Sequence, residues 1–181
     1  GFDAKACICR QHRSGSDVEF NPQDLHVAVA VSWLIPVRNG SRWLSAAVSS
    51  ALAECGMGDQ VVVVDDGSTD HPRNVLPSDA RILFLEQPPL GIVAALEHGR
   101  RHCRNAYIAR LDSDDVAMPG RIHAQVQAME DEPRLAVVGG RAELFCDQGS
   151  VPQGMAHYVD WVNGLADLHR EILVESPLFH P

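Results

Sequence analysis

Two groups of acidic residues stand where apolar segments of the chain end. Asp65 and Asp66 follow the run "VVVV" at 61–64, and the sequence "DSDD" at 112–115 follows "YIARL". Crowded carboxylates raise one another's pKa unless a cation lies between them. Oxygen ligands without nearby His or Cys select Mg²⁺ or Mn²⁺, which keep coordination positions for water and phosphate. The spacing therefore predicts a divalent-metal site completed by a diphosphate ligand.

Each acidic group also has other readings. Asp, Ser and Gly are ordinary residues of turns and helix caps, so either group taken alone is equally compatible with a structural role. An EF-hand loop starting at Asp112 is excluded, because Ala117 stands where Gly is needed and His123 where Glu is needed. Zinc is not expected, because Cys7 and Cys9 lack a second pair of ligands at finger spacing.

The segments around these acids alternate between strand and helix. Continuous apolar runs are typical of parallel strands covered on both faces, and three-to-four spacing indicates amphipathic helices. Ser41 is the predicted N-cap of the first helix, and Pro119 the predicted first residue of another. This order predicts an α/β fold, a three-layer α/β/α sandwich around a mostly parallel, Rossmann-like sheet. Its predicted strands lie in 25–37, 61–64, 81–87, 106–111 and 135–140.

Composition limits the classes of partner and the number of domains. The chain has 181 residues, 45% of them hydrophobic, which suits one domain over 25–181 preceded by a leader arm, extended or partly disordered, at 1–24. The net charge of -9 argues against nucleic acid as a partner. Five cysteines, an odd number, suit a reducing compartment. We expect a cytoplasmic protein, associated with a membrane only through parts outside this chain.

Four segments in this order resemble the nucleotide-binding half of family 2 glycosyltransferases with the GT-A fold. They are "VSWLIPVRNGSRWLSAAVSSAL", "VVVVDDGSTD", "LGIVAALEHG" and "YIARLDSDDVAMPGRIHAQ". The resemblance implies an inverting enzyme that moves a sugar from a nucleoside-diphosphate sugar, with UDP favoured, to a saccharide, lipid or protein acceptor hydroxyl. It also implies Mn²⁺ or Mg²⁺ as the cofactor.

The resemblance assigns roles to individual residues. Pro36, Val37 and Asn39 would contact the base and ribose, and Gly91 would let the backbone pass close to the nucleotide. Asp65, with Asp66 beside it, would accept a hydrogen bond from the base. Asp112 and Asp114 match the two acids of the DxD motif, in which the second typically binds the metal. The nucleotide-binding set also includes Ser113 and Arg110, the latter either neutralising phosphate or forming a structural ion pair.

The chain departs from the family pattern in two places. Glu97 stands where relatives commonly have Asn, so no binding role is assigned to it. Relatives place the catalytic base after a His-Pro dipeptide, which here is His180-Pro181, so the base is expected beyond Pro181; Glu171 and Glu175 are out of order for that role. A non-catalytic nucleotide-sugar-binding module therefore remains an alternative, and a sugar nucleotidyltransferase is a weaker one.

Trp161 and three of the histidines can be assigned from the usual roles of their side chains. Trp161 could stack on an acceptor sugar, but a buried hydrophobic anchor is the commoner use of Trp. We therefore expect it in the core. His98, His102 and His123 lie on predicted helices and are expected at the surface.

Overall fold

A six-stranded sheet with helices on both faces forms the core of the molecule. The computed structural model describes residues 29–146 and 150–165, together with the backbone of residues 6–10. The strands are β1 (Ala6–Arg10), β2 (Val31–Val37), β3 (Gln60–Asp66), β4 (Ile82–Gln87), β5 (Tyr107–Leu111) and β6 (Val137–Gly139). The helices are α1 (Ser41–Glu54), α2 (Ile92–His102), α3 (Arg121–Asp131) and α4 (Gln153–Asn163), with a 3-10 turn at Pro72–Val75.

Strand order places four parallel strands side by side. The order is β4-β3-β2-β5-β1-β6, with β4, β3, β2 and β5 parallel and β1 antiparallel to both of its neighbours. In this register Val37 pairs with Asp65 and Asp66 pairs with Gln87. The carboxyl ends of the parallel strands, and hence both acidic groups, therefore meet at one edge of the sheet.

Alternate residues of β2 and β3 fill opposite faces of the sheet. Trp33, Ile35, Val61 and Val63 pack in one cluster with residues of α1 and α3. Leu34, Val62 and Val64 pack on the other face, against Ala95 and Cys103. All four valines of 61–64 are 0% exposed, because helices cover both faces of the sheet. The predicted three-layer α/β fold is confirmed.

Two helix starts differ from the sequence prediction. Gly40, not Ser41, is the N-cap of α1, and Ser41 instead bonds Asp70 of the next loop through its amide and hydroxyl. Helix α3 begins at Arg121, two residues after Pro119, with Gly120 as its N-cap at φ 80°. In both places a tertiary contact or a left-handed glycine overrides the local capping signal.

The two ends of the chain agree only in part with the sequence predictions. Five residues of the predicted arm form β1, which no periodicity in the sequence indicated. The rest of the arm, at 1–5 and 11–24, lies outside the described residues, as do Glu171, Glu175 and His180. Residues 153–163, which the sequence left unassigned, form α4. Within the part of the chain that is described, no helix is both long and apolar enough to cross a membrane.

Candidate nucleotide-binding cleft

A cleft of about 340 Å³ opens at the carboxyl ends of β2, β3 and β5. Open parallel sheets bind ligands at this edge, where loops converge and helix N-termini point inwards. Seven of the predicted site residues line the cleft together: Pro36, Val37, Asp66, Gly91, Asp112, Ser113 and Asp114. Asn39, Asp65 and Arg110 are not among the lining residues. Strand and loop positions far apart in the sequence therefore form a single site.

Asp66 holds together the loop in front of α2. Its Oδ1 accepts hydrogen bonds from Gln87 Nε2 and from the amide of Leu90, both at 2.8 Å, and its Oδ2 accepts one from the amide of Gly91 at 2.9 Å. Burial by itself raises the pKa of Asp66. These hydrogen bonds and the charge of Arg38 outweigh that effect and hold the pKa below its ordinary value. Asp66 is thus an ionised anchor for the loop at 88–91.

A partly buried histidine orients the amide that faces Asp66. The Nδ1 of His98 lies 3.0 Å from Oε1 of Gln87. Because an amide oxygen can only accept a hydrogen bond, Nδ1 is the donor. The NH₂ group of Gln87 then faces Asp66. His98 is only partly exposed, so it meets the expectation of a surface position in part. His102 and His123 are exposed, as predicted.

Asp65 and Asn39 shape the neighbouring loops. Oδ1 of Asp65 accepts the amide of Ser68 at 2.9 Å, in the short turn that follows β3. Asn39 has φ 53°. Its side-chain Oδ1 accepts the backbone N–H of Thr69 at 2.9 Å, and its backbone N–H donates to Ser68 Oγ. These bonds join the loop after β2 to the loop after β3 at one side of the cleft.

The acid loop, which we define as Asp112–Gly120, forms the opposite side of the cleft. Asp112, Ser113 and Asp114 are partly exposed, whereas Asp115 is buried. Oδ1 of Asp112 lies 3.4 Å from a guanidinium nitrogen of Arg110, whose side chain is mostly buried. Of the two roles considered for Arg110, the structural ion pair is present. It leaves Asp112 on the cleft wall with part of its charge balanced.

Gly91 has a backbone conformation that other residues avoid. It is the N-cap of α2, with φ 92° and ψ 167°, a region that is essentially restricted to glycine. A Cβ at this position would meet no atom within 4 Å. Gly91 is therefore required by the chain conformation and not by crowding from other protein atoms.

Three lining residues were not predicted from the sequence: Arg38, Ile92 and Ala95. Arg38 is exposed and lies 3.9 Å from Oδ2 of Asp66, which makes it the cation among the described residues that line the cleft. The sequence signal that could have identified Arg38 was its position directly after Val37, the last residue of β2. Ile92 and Ala95 lie three apart on α2, so one turn of that helix faces the cleft.

The acid loop offers a partial set of metal ligands. Among the described residues no three His, Cys, Asp or Glu side chains gather as a complete metal site. Asp112 and Asp114 supply two carboxylates at the cleft wall. A Mg²⁺ or Mn²⁺ ion held with substrate phosphates needs only one or two carboxylates from the protein. The residues therefore fit an ion that arrives with a phosphorylated ligand, and do not fit a preformed protein cage.

Trp161 lies at the surface and not in the core. It is 40% exposed, and its ring centroid is 5.8 Å from that of Tyr158 on the same helix. The core interpretation is wrong, because the buried face of α4 is formed by Val159 and Val162.

Several glycosyltransferases are similar to the chain in sequence. An uncharacterized glycosyltransferase of Rickettsia felis is 32% identical over 124 residues, which are 66% of this chain and 21% of that protein. Chondroitin synthase of Escherichia coli is 34% identical over 112 residues, 60% of this chain and 16% of the synthase. The chain thus spans about a fifth of these curated relatives.

Solved structures share the fold. The crystal structure of S. aureus TarS 1-349 superimposes with a TM-score of 0.50 at 18% identity, covering 57% of this chain and 33% of that one. The same protein in complex with UDP-GlcNAc gives a TM-score of 0.50 over 57% of this chain and 32% of TarS. Residues 32–175, well over half of the chain, match glycosyl transferase family 2. The chain therefore belongs to glycosyl transferase family 2, as a glycosyltransferase domain with the GT-A fold.

Proposed function

We propose that the cleft binds a uridine diphosphate sugar together with Mn²⁺ or Mg²⁺, as the donor site of an inverting glycosyltransferase. The observation that carries the proposal is the meeting of Asp112 and Asp114 with Pro36, Val37 and Gly91 in one cleft at the strand ends. The GT-A fold shared with TarS, which has been crystallised with UDP-GlcNAc, supports a nucleotide sugar as the ligand. The acceptor remains open between saccharide, lipid and protein.

The two sides of the cleft have different tasks in this proposal. Pro36 and Val37, which line the cleft, and Asn39 in the loop after them are assigned to the base and ribose, and Asp65 is assigned to accept the imide N–H of uracil. Its Oδ1 already takes the Ser68 amide, so Oδ2 is assigned to the base. Gly91 begins α2 at the cleft, and the positive end of that helix favours an anionic phosphate.

The acid loop is assigned to the metal ion and, together with the ion, to the diphosphate. Asp112 and Asp114 would hold Mn²⁺ or Mg²⁺, with Asp114 as the principal ligand, because Asp112 also faces Arg110. When bound, such an ion stabilises the charge that develops on the departing diphosphate. Ser113, on the same wall, is assigned to donate its hydroxyl hydrogen to a phosphate oxygen.

Inversion needs a carboxylate base on the acceptor side of the sugar. The carboxylates that line the cleft are assigned elsewhere: Asp66 takes three hydrogen bonds from its own loop, and Asp112 pairs with Arg110. We therefore assign Asp112 and Asp114 to donor binding, Asp66 to holding its own loop, and none of the three to proton abstraction.

Calorimetric titration with UDP, with and without Mn²⁺, tests the proposal. We expect UDP to bind more tightly with Mn²⁺, and Asp114→Ala to reduce that metal-dependent gain by about tenfold, or about 1.4 kcal/mol. Asp131→Ala is the matched control, because Asp131 is exposed on α3 and bonds only Gln127 among the described residues. Equal binding with and without Mn²⁺ in the wild type, or an unchanged gain in Asp114→Ala, contradicts the proposal.

A further inference from the structure

Helix α1 touches the acid loop near both of the loop's ends. At the start of α1, the N-cap Gly40 is buried beside Ser113, so closely that a Cβ on Gly40 would lie 2.9 Å from Ser113 Oγ. The same Cβ would lie 3.1 Å from Cγ2 of Val37. The missing side chain therefore allows the first residues of the acid loop to pack against the start of α1.

The last turns of α1 bind the far end of the acid loop. Ser50 donates its hydroxyl hydrogen to the carbonyl of Ala47 at 2.8 Å, which leaves its oxygen to accept the amide of Ala117 at 2.9 Å. Glu54, the final residue of α1, accepts the amide of Gly120 at 2.9 Å and that of Ile122 at 3.3 Å. Three backbone amides that follow the acids are thus held by two side chains of α1.

These bonds replace a cap that α3 lacks. The N-cap of α3, Gly120, has no side chain to bond the free amides of the first turn. Glu54 accepts two of these N–H groups from outside the helix, and its negative charge lies at the positive end of the α3 dipole. The position of α3, and so of the residues just before it, therefore depends on α1.

The start of α3 also holds the strand end from which the acid loop departs. The guanidinium of Arg121 donates to the carbonyl oxygen of Arg110 at 2.8 Å and lies 5.1 Å from the centroid of the Trp33 ring. Arg110 in turn faces Asp112. Entry and exit of the acid loop are consequently tied to the same point, the first turn of α3 that Glu54 caps.

We propose that Ser50 and Glu54 are positioning residues for the acid loop, setting the orientation of Asp112 and Asp114 without contacting the ligand. The consequence for metal and diphosphate binding rests on the function proposed above. The consequence for the structure of the loop is independent of that function. If Glu54 served only to cap α3, its loss would loosen Gly120 and Ile122 and leave the acids unchanged.

Amide hydrogen exchange separates these two roles. The amide of Asp115 donates to the carbonyl of Asp112 within the loop, whereas the amides that Glu54 accepts are those of Gly120 and Ile122. In Glu54→Ala we expect exchange at Asp115 to accelerate by about fivefold, the size of one net hydrogen bond. Ser50→Ala removes the partner of one backbone amide beyond the acids, where Glu54→Ala removes the partner of two, so it should give a smaller acceleration. It also covers the case in which Glu54→Ala does not fold. Acceleration confined to residues 120–122 overturns the proposal.

Titration with UDP and Mn²⁺ on the same variants measures the functional consequence. Glu54→Ala should lower the metal-dependent gain in affinity by about tenfold, as supporting residues around metal sites commonly do. Metal-free UDP binding should be unchanged. Glu97→Ala is the matched control, because Glu97 pairs with Arg100 and Arg101 on the outer face of α2. A normal metal-dependent gain in Glu54→Ala overturns the positioning role, whereas no gain in the wild type refutes only the proposed function.

Discussion

Adjacent residues of the sequence "DD" at 65–66 have different surroundings. Asp66 takes three hydrogen bonds that fix the loop carrying Leu90 and Gly91, while Asp65 takes one, from Ser68. A carboxylate with three donors is held in its charged form and has little capacity left for a ligand. At the scale of the residue, Asp66 is therefore an anchor of its loop, and Asp65, with one hydrogen bond from Ser68, is the carboxylate that the proposed function assigns to the base.

Replacing Asp66 tests its role as an anchor. Asp66→Ala leaves the amides of Leu90 and Gly91 without their partner, and we expect the free energy of unfolding to fall by about 1–3 kcal/mol at neutral pH. Urea unfolding measures this change. Asp131→Ala should change stability by less than about 0.5 kcal/mol, and an equal loss in both variants contradicts the anchor role.

The pH dependence gives an independent check on Asp66. Its pKa is lowered in the folded state, so the stability it provides is complete above the ordinary aspartate pKa of about 3.9 and is lost as the pH falls through the folded value. The difference in unfolding free energy between the wild type and Asp66→Ala should therefore shrink only below about pH 4. A difference that already shrinks near neutral pH argues against an ionised Asp66.

Helix α2 lies unusually close to the sheet, and one glycine permits this. A Cβ on Gly99 would lie 2.2 Å from Cδ1 of Leu34 and 2.8 Å from Cγ2 of Val64, both in fully packed strands. The first turns of the same helix bring Ile92 and Ala95 to the cleft. At the scale of the element, the spacing between α2 and the sheet therefore sets one wall of the site.

A larger residue at Gly99 should push α2 away from the sheet. We expect Gly99→Val to lower the free energy of unfolding by about 3 kcal/mol, the upper end of the usual cost of overpacking, and to weaken UDP binding. Gly154→Val is the control, because Gly154 is exposed on α4 and a Cβ there meets no atom within 4 Å. Chemical denaturation of both variants measures the effect, and a stable Gly99→Val protein contradicts the close-packing argument.

Across the whole molecule, charge opposes an anionic ligand. The chain carries a formal charge of -9, and Asp66, Asp112 and Asp114 all line the cleft. A diphosphate entering this field meets Arg38 as the lining cation, on the Asp66 side of the cleft. The charge of the molecule as a whole therefore supports the proposal that the nucleotide binds together with a divalent ion.

Calorimetry of thermal unfolding tests this requirement. UDP with Mn²⁺ at about one hundred times the dissociation constant should stabilise the folded protein by about 2.7 kcal/mol. For a chain of this size that is a rise in Tm of about 5–10 °C. We expect UDP alone at the same concentration to give a much smaller rise, and equal shifts from the two additions contradict the electrostatic argument.

Much of this architecture could be predicted from local patterns. Continuous apolar runs indicated parallel strands, and the acids at the carboxyl ends of β3 and β5 indicated the binding edge, because parallel strands place these ends together. The strand β1 could not be predicted, since its pairing with β5 and β6 is a long-range contact with no periodic signal. The cap of α3 was missed for the same reason: Glu54 is 66 residues from the Gly120 amide that it bonds.

The sequence by itself determined the order of strands and helices from β2 to β6, the family, and the residue types at the cleft, because these depend on periodicity and on motifs within short windows. Only the tertiary structure decided which acid of 65–66 is an anchor, that Arg38 enters the cleft, and that α1 holds the acid loop. Those outcomes depend on which donors, acceptors and charges meet across the fold, and such meetings are set by packing between distant segments.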